Sequence, residues 1–443
     1  MPFPNPVRSF ATVAGINSTQ QQALHKAAKR ILPFSFVLYV VAYLDRANVA
    51  FAKVQMTKEL GFSEAVFGFG AGIFFLGYVL LEIPGALIVQ RWSARKWIAR
   101  ILLTWGLCST LTGFITRPGH FIAARLLLGL AEAGFFPGML VYLARWFPAS
   151  FRARAMSVFV LGIPISLLLG APLSALLLEV HWLNFAGWRW VFIAQGIPAI
   201  VLGVVTWFYL SDWPEDARWL TKQEQTTLRQ ARDGDDHYTN QSTSVRSVLC
   251  NRVNLLLASA LFMSNIGITS YLIWLPSLLQ KYSRSSSAKS SLLAAIPYLC
   301  ATFAIIAAGR ASDRSSERIA HTAVPMALSA LWYLLTLVQP QPFGMVLTWL
   351  SLAGASMFAW VPTFWALAST VSNESAAAVS FGLINSAGAL GSFVGPTFVG
   401  IILSQFGSTA FATLFAAASL AIGAFCVTRI RDPRTFVMPN DQT

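Results

Sequence analysis

Five ionisable side chains interrupt otherwise apolar stretches of this sequence: Asp45, Arg46, Glu82, Arg125 and Glu132. A charge inside hydrocarbon costs from about 2.5 to over 10 kcal/mol, so each of them needs an opposite charge or a water-filled cavity. Asp45 and Arg46 are consecutive, hence about 100° apart around a helix, and cannot neutralise each other face to face. Arg125 and Glu132 are seven residues apart, nearly two turns, and share one helix face about 10 Å apart along the axis. The spacing predicts a crosswise network facing a central cavity, Asp45 with Arg125 and Arg46 with Glu132. An arginine fork grips a carboxylate bidentately and keeps its charge at any physiological pH. An acid in a partly dry cavity can take up and release a proton near the working pH. Neutralising Glu132 would free Arg46 for an anion, which joins proton uptake and anion uptake in one event. The bland alternative is a static network that fixes helix register. Glu82, followed by Pro84 and Gly85, suits support of an inner gate or loop better than proton coupling.

The elements that position these groups follow from composition. The chain has 443 residues, of which 56% are hydrophobic and 11% charged, with 33 Phe, 15 Trp and a mean hydropathy of +0.60. Charged residues make up about 25% of ordinary soluble domains, so a soluble enzyme is excluded. Twelve spans of about 20 apolar residues would use about 240 residues, close to the apolar content. The hydropathy pattern divides the chain into an N-terminal tail (1–30), six spans (31–211), a polar central loop (212–251), six more spans (252–428) and a C-terminal tail (429–443). The fold class expected is an all-α integral membrane protein of 12 transmembrane helices in two six-helix bundles. No signal peptide is expected, because the N-terminus has no apolar core or cleavage site.

A net charge of +14 would ordinarily suggest nucleic acid. If both termini are cytoplasmic, twenty-three of the 32 Lys and Arg fall on the cytoplasmic side and seven on the other, with Arg46 and Arg125 inside spans. Positive charge stays inside during insertion, so this asymmetry predicts cytoplasmic termini, absorbs the basic excess and leaves no role for nucleic acid. The four cysteines (Cys108, Cys250, Cys300, Cys426) are far apart and read as reduced packing residues. The five histidines are scattered, and neither a metal motif nor a phosphate loop occurs, so no cofactor, metal or ATP-driven chemistry is expected.

The halves repeat a signal between their second and third spans. Arg91 and Arg95 in Gln90-Arg-Trp-Ser93-Ala-Arg-Lys96 match Arg314 and Arg318 in Gly309-Arg-Ala-Ser-Asp313-Arg-Ser-Ser-Glu-Arg318 at the same four-residue spacing. This loop resembles the D-R-x-G-x-R signature of the major facilitator superfamily, with Asp313 intact but Gln90 and Ser93 replacing Asp and Gly in the first half. Further motifs are Tyr43-Leu-Asp45-Arg46-Ala-Asn48, the stretch Arg125 to Gly138, Asp212-Trp-Pro-Glu-Asp-Ala-Arg-Trp-Leu220, Ile384-Asn385-Ser386 and Gly395-Pro396. Together they resemble the anion:cation symporter family, especially its tartrate, phthalate and hydroxyphenylacetate permease branch. That resemblance implies secondary active uptake of a small organic anion (a dicarboxylate, sugar acid or aromatic acid) with a co-transported proton, by alternating access in the bacterial cytoplasmic membrane. It also implies proton roles for Asp45 and Glu132, substrate contact for Arg46, a latch at Asp313 and a monomer.

With no charge in its spans, the second half must contribute polar and aromatic contacts. Asn385, Tyr78 and Trp365 are the candidate substrate contacts beside Arg46. Arg125 joins Asp45 and Glu132 in proton coupling, and Arg91, Arg95, Asp313, Arg314 and Arg318 are the gating candidates. Small residues at 162, 166, 170 and 174 give the fifth span a stripe suited to close packing. Sodium could replace the proton, since a carboxylate site suits either. An exchanger or exporter of anionic or aromatic compounds, or a membrane receptor without transport, are the other readings.

Overall fold

The computed structural model describes residues 18–233, 250–315, 317–371 and 377–430. It is helical throughout: α1 (Ser18–Leu60), α2 (Glu64–Arg91), α3 (Ala94–Thr112), α4 (Pro118–Glu132), α5 (Phe135–Trp146), α6 (Ala149–Val160), α7 (Gly162–Leu178), α8 (Gly187–Tyr209) and α9 (Lys222–Asp233) in the first half. The second half has α10 (Arg252–Ser283), α11 (Ser287–Leu293), α12 (Ala295–Ser315), α13 (Ile319–Leu335), α14 (Phe343–Val371), α15 (Ala377–Phe406) and α16 (Thr409–Thr428). Among the described residues, ten helical stretches are long and apolar enough to cross a membrane, and Ile319–Leu335 is a shorter apolar helix. The remaining long helix, α3, carries Arg95, Lys96 and Arg100 in its first two turns, which sets it apart from the other spans.

Side chains close the exposed backbone at several helix starts. Ser93 accepts from the Lys96 amide at the start of α3, and Asn251 accepts from the Val253 and Asn254 amides at the start of α10. These satisfy amides that have no partner within the helix. Glycine brings helices together elsewhere. A side-chain carbon on Gly106 of α3 would lie 2.9 Å from the Gly196 carbonyl of α8, so these two helices touch backbone to backbone. Without water to expel, such close van der Waals packing is what holds membrane helices together.

Two compact units result. Of the described residues, one comprises those within 18–49, 77–170 and 180–233, and the other those within 50–76, 171–179 and 250–430. In the first, α3 packs along α8 and α4. In the second, α10 packs on α15 and α16, and α14 on α12 and α13. The end of α1 and the first half of α2 therefore cluster with the second half of the sequence, and the units do not follow the sequence halves. Gly68 of α2 and Gly400 of α15 explain part of this: a side-chain carbon on Gly68 would meet the Gly400 Cα at 2.9 Å.

Two local differences from the sequence reading stand out. The first helix starts at Ser18 rather than near residue 31, because Ala23, Leu24, Ala27 and Ala28 form a buried stripe that continues it. The central polar segment holds α9, whose Leu228 is buried although the sequence shows no apolar periodicity there.

Candidate functional site

The long α1 carries Asp45 and Arg46 at its middle, and α4 ends on Glu132. Arg46 Nε donates to Glu132 Oε1 at 2.6 Å; the Glu132 side chain is 1% exposed and that of Arg46 19%. The guanidinium also lies against two aromatic rings, 5.1 Å from the Tyr43 centroid and 4.9 Å from that of Tyr78. A guanidinium held by a carboxylate and by ring faces is oriented as well as neutralised.

Asp45 is fully buried and held differently. Trp105 Nε1 donates to its Oδ2 at 2.5 Å, Asn48 Nδ2 to its Oδ1 at 2.6 Å, and Ser109 Oγ also donates to Oδ1. Trp105 and Ser109 are four residues apart on α3 and so share a face, while Asn48 is one turn beyond Asp45 on α1. Three neutral donors satisfy this carboxylate. The Arg125 side chain, 1% exposed, lies within electrostatic range of both Asp45 and Glu132.

The chain breaks just where Glu132 stands. Ala133 leaves helical geometry and Gly134 takes a left-handed φ of +84° before α5 begins at Phe135. Pro137 sits in the first turn of α5, where a missing amide costs nothing. A side-chain carbon on Gly134 would meet the Cα of Gly85 at 3.0 Å, so α2 crosses the break at its closest point.

Around this cluster the aromatic packing is dense. Tyr39 stacks on Phe159 with centroids 4.1 Å apart, lies 5.8 Å from Phe136 and meets Tyr43 edge-on at 5.2 Å. From α7, Ser166 Oγ donates to the Val40 carbonyl at 2.9 Å, which places the first part of the small-residue stripe against α1.

The second-unit candidates are placed as follows. Asn385 is half-buried on α15, one turn before Gly388, whose carbonyl accepts from Asn265 Nδ2 at 2.9 Å. The small run after Asn385 lets another helix approach: a side-chain carbon on Gly395 would lie 2.9 Å from Ser270 Oγ of α10. Trp365 is half-buried and meets Phe381 edge-on at 6.0 Å.

Of the gating candidates, the side chains of Arg91 and Asp313 lie outside the described residues. Arg314 is exposed, and Arg318 Nη1 donates to Ser312 Oγ at 2.9 Å. At the first repeat the carboxylate comes from elsewhere in the chain. Asp212, just after α8, accepts from Ser93 Oγ at 2.6 Å and from the Arg95 amide at 2.9 Å, and lies 4.0 Å from Arg95 Nε. Arg145 Nη2 donates to the Val89 carbonyl at 2.7 Å and its guanidinium lies 4.3 Å from the Trp213 ring. The ends of α2, α3, α5 and α8 are thus tied within the first unit.

A further pair, of a buried lysine and a partly exposed glutamate, escaped the sequence reading. Lys53, 4% exposed, lies 2.9 and 3.1 Å from the two carboxylate oxygens of Glu64, 3.3 Å from Ser277 Oγ and 5.4 Å from the Trp274 centroid. The available signal was the basic residue seven positions after Arg46, which falls on the same helix face.

The family model described as Major Facilitator Superfamily matches residues 35–396. A protein of Agrobacterium vitis predicted to be a tartrate transporter is 38% identical over 407 residues, covering 91% of this chain and 94% of its own. The inner membrane transport protein RhmT of Escherichia coli is 34% identical, with 92% and 94% covered. A quinolone resistance transporter of Acinetobacter baumannii is 33% identical, with 91% and 94% covered. Among solved structures, a D-xylose-proton symporter superposes with a TM-score of 0.72 at 16% identity, covering 90% of this chain and 97% of that one.

Proposed function

Since the chain belongs to the major facilitator superfamily, with relatives named for tartrate transport, we propose that this transporter is a proton-coupled symporter bringing a small organic anion into the cell by alternating access. Twelve spans form two six-helix bundles with both termini cytoplasmic, in the bacterial cytoplasmic membrane, and the protein works as a monomer. The single observation that carries this reading is the pair between Arg46 and Glu132 at 2.6 Å.

A buried guanidinium paired with a carboxylate has no net charge to offer an anion, and separating the two costs several kcal/mol. A proton on Glu132 removes the attraction, and the carboxylate of the anion replaces it as the partner of Arg46. Proton and anion then bind as a neutral set, which lowers the cost of closing the site around them. Asp45 and Arg125 set the field around Glu132, with Asp45 as a second proton site. Tyr78, Asn385 and Trp365 contact the organic body. Arg91, Arg95, Asp313, Arg314 and Arg318 hold the cytoplasmic loops during rocking, with Asp212 standing in for the carboxylate that Gln90 lacks. Sodium in place of the proton fits the same carboxylates.

The test is uptake of labelled organic acids into vesicles under an imposed pH gradient. Wild type accumulates its anion when the interior is alkaline. Glu132→Gln loses gradient-driven accumulation and retains exchange of internal for external anion. Unchanged concentrative uptake in that variant would remove Glu132 from the mechanism, and gradient-independent binding without flux would favour a receptor. The relative named for quinolone resistance supports a second reading, outward movement of aromatic anions. Efflux from preloaded vesicles faster than uptake would establish it.

A further inference from the structure

The start of α3 carries two cations to which the described residues offer no acid. We propose that Lys96 and Arg100 together hold the phosphate of one anionic phospholipid, in the leaflet that is cytoplasmic in the orientation given above. Only the choice of leaflet follows from that orientation, and the site does not depend on proton coupling.

Other basic residues of this unit are matched within the protein. Arg95 Nε has an Asp212 oxygen at 4.0 Å, Arg145 donates to the Val89 carbonyl, and Arg189 Nη1 donates to the Gly113 and Ile115 carbonyls at 2.9 and 3.1 Å. Among the described residues, neither Lys96 nor Arg100 forms an ion pair or donates a side-chain hydrogen bond. Arg100 Nε is buried without an acceptor, and the guanidinium lies 3.9 Å from the Trp97 ring centroid. Both side chains are half-buried. Four residues apart on one helix, they place like charges one above the other, which is unfavourable unless an anion lies between them. A charge at membrane depth needs a counter-charge or water, and the described residues supply no counter-charge.

The helix face they share identifies the partner. Positions 96, 100, 107 and 111 fall within about 60° of one another around a helix. Leu107 and Leu111 are 52% and 54% exposed. The face is thus cationic at the start of the helix and bare leucine beyond it, the same order as headgroup and acyl chain along one lipid. Trp92, 52% exposed, meets Trp97 edge-on at 6.3 Å, and tryptophan favours the headgroup level of a bilayer. The arginine fork takes two phosphate oxygens while lysine adds a point charge. Basic clusters at the cytoplasmic end of membrane helices attract anionic headgroups in this way. Trp97 joins the site to the break that follows Glu132: a side-chain carbon on Gly134 would lie 3.5 Å from Trp97 Nε1, and one on Gly138 4.0 Å from its Cδ1. A headgroup that keeps Arg100 on this ring therefore also steadies the packing at the break.

The experiment is native mass spectrometry of the purified full chain in neutral detergent, titrated with phosphatidylglycerol or with phosphatidylcholine of the same acyl chains, together with thermal unfolding. The first phosphatidylglycerol is expected to bind at least about 10-fold more tightly than phosphatidylcholine, equivalent to about 1.4 kcal/mol, and to raise the unfolding temperature. Lys96→Gln combined with Arg100→Gln removes most of that preference. Lys222→Gln combined with Arg229→Gln takes the same charge from exposed positions on α9 and keeps it. Equal binding of the two lipids by the wild type overturns the proposal, and that comparison decides even where a double variant does not fold. A preference that survives in the Lys96 and Arg100 variant, or that falls as far in the α9 variant, overturns it as well. Inorganic phosphate raising the unfolding temperature as much as phosphatidylglycerol does would assign the two cations to a soluble anion and overturn the lipid site.

Discussion

At the scale of single residues, the two buried carboxylates differ in what an amide can replace. Glu132 accepts one hydrogen bond from Arg46 Nε, and a glutamine oxygen can still accept it. Asp45 accepts from three donors spread over both oxygens, so an asparagine must turn its own NH2 toward at least one of them. Leaving a buried donor unmatched costs about 1–3 kcal/mol. Asp45→Asn is therefore expected to lower the unfolding temperature of the purified protein by several degrees more than Glu132→Gln, measured by tryptophan fluorescence on heating. Equal temperatures for the two variants would mean that the three contacts to Asp45 do not hold it. The Arg46 and Glu132 pair was legible because both are charged and lie in apolar stretches. The holders of Asp45 were not, since Trp105 and Ser109 are neutral residues 60 and 64 positions away, and tryptophan and serine are ordinary in a membrane helix.

At the scale of elements, the break between α4 and α5 decides where Glu132 ends up. Gly134 sits at φ +84°, and its neighbour across the break is the backbone of Gly85 at 3.0 Å. A side chain there costs about 1–2 kcal/mol in backbone strain before any clash is counted. Gly134→Ala is expected to lower thermal stability and to reduce gradient-driven uptake by about 10-fold or more, because the strain is relieved by moving the end of α4. Wild-type uptake in a folded Gly134→Ala protein would show that the break is indifferent to function. Sequence alone did not mark Gly134, because only the fold reveals which glycine has a left-handed backbone. The segment after α8 shows the same limit in another form. Its charges read as a solvated loop, yet α9 docks by polar contacts: Lys26 Nζ lies 2.6 Å from Glu224, whose carboxylate also accepts from the Thr221 amide at 2.8 Å. Burial alone would raise the Glu224 carboxyl, but these partners outweigh it and hold it below its ordinary range. A carboxyl lowered on folding stabilises the docked state above about pH 4.3 and loses that contribution as pH falls through the lower folded value. The protection of amides in Lys222–Asp233, taken relative to their intrinsic exchange rate at each pH, should therefore fall on acidification below that range, and Lys26→Ala should remove most of the change. A flat profile in wild type would mean that the ion pair does not hold α9.

At the scale of the whole molecule, orientation follows from the same charges that make the chain look like a nucleic-acid binder. Of the 32 Lys and Arg, the twenty-three assigned to one side include those of the central segment, and the seven on the other side include Arg189 at the start of α8. This asymmetry sets orientation through the loops near span ends, whichever way the substrate moves. Two exposed positions test it directly. Cys250 precedes α10 in the central segment and is exposed, and Leu183, between α7 and α8, is 79% exposed. With Cys108, Cys300 and Cys426 replaced by alanine, a membrane-impermeant maleimide should label Cys250 in inside-out vesicles and spare it in right-side-out ones. Leu183→Cys, made on a background that also carries Cys250→Ala, should give the opposite pattern. Both sites labelling from the same face would mean an even number of crossings between them, and a full reversal would place the basic loops outside. In that second case the vestibule that opens to the outside in the proposed orientation would open to the cytoplasm, while the direction of net movement would still follow the imposed gradient.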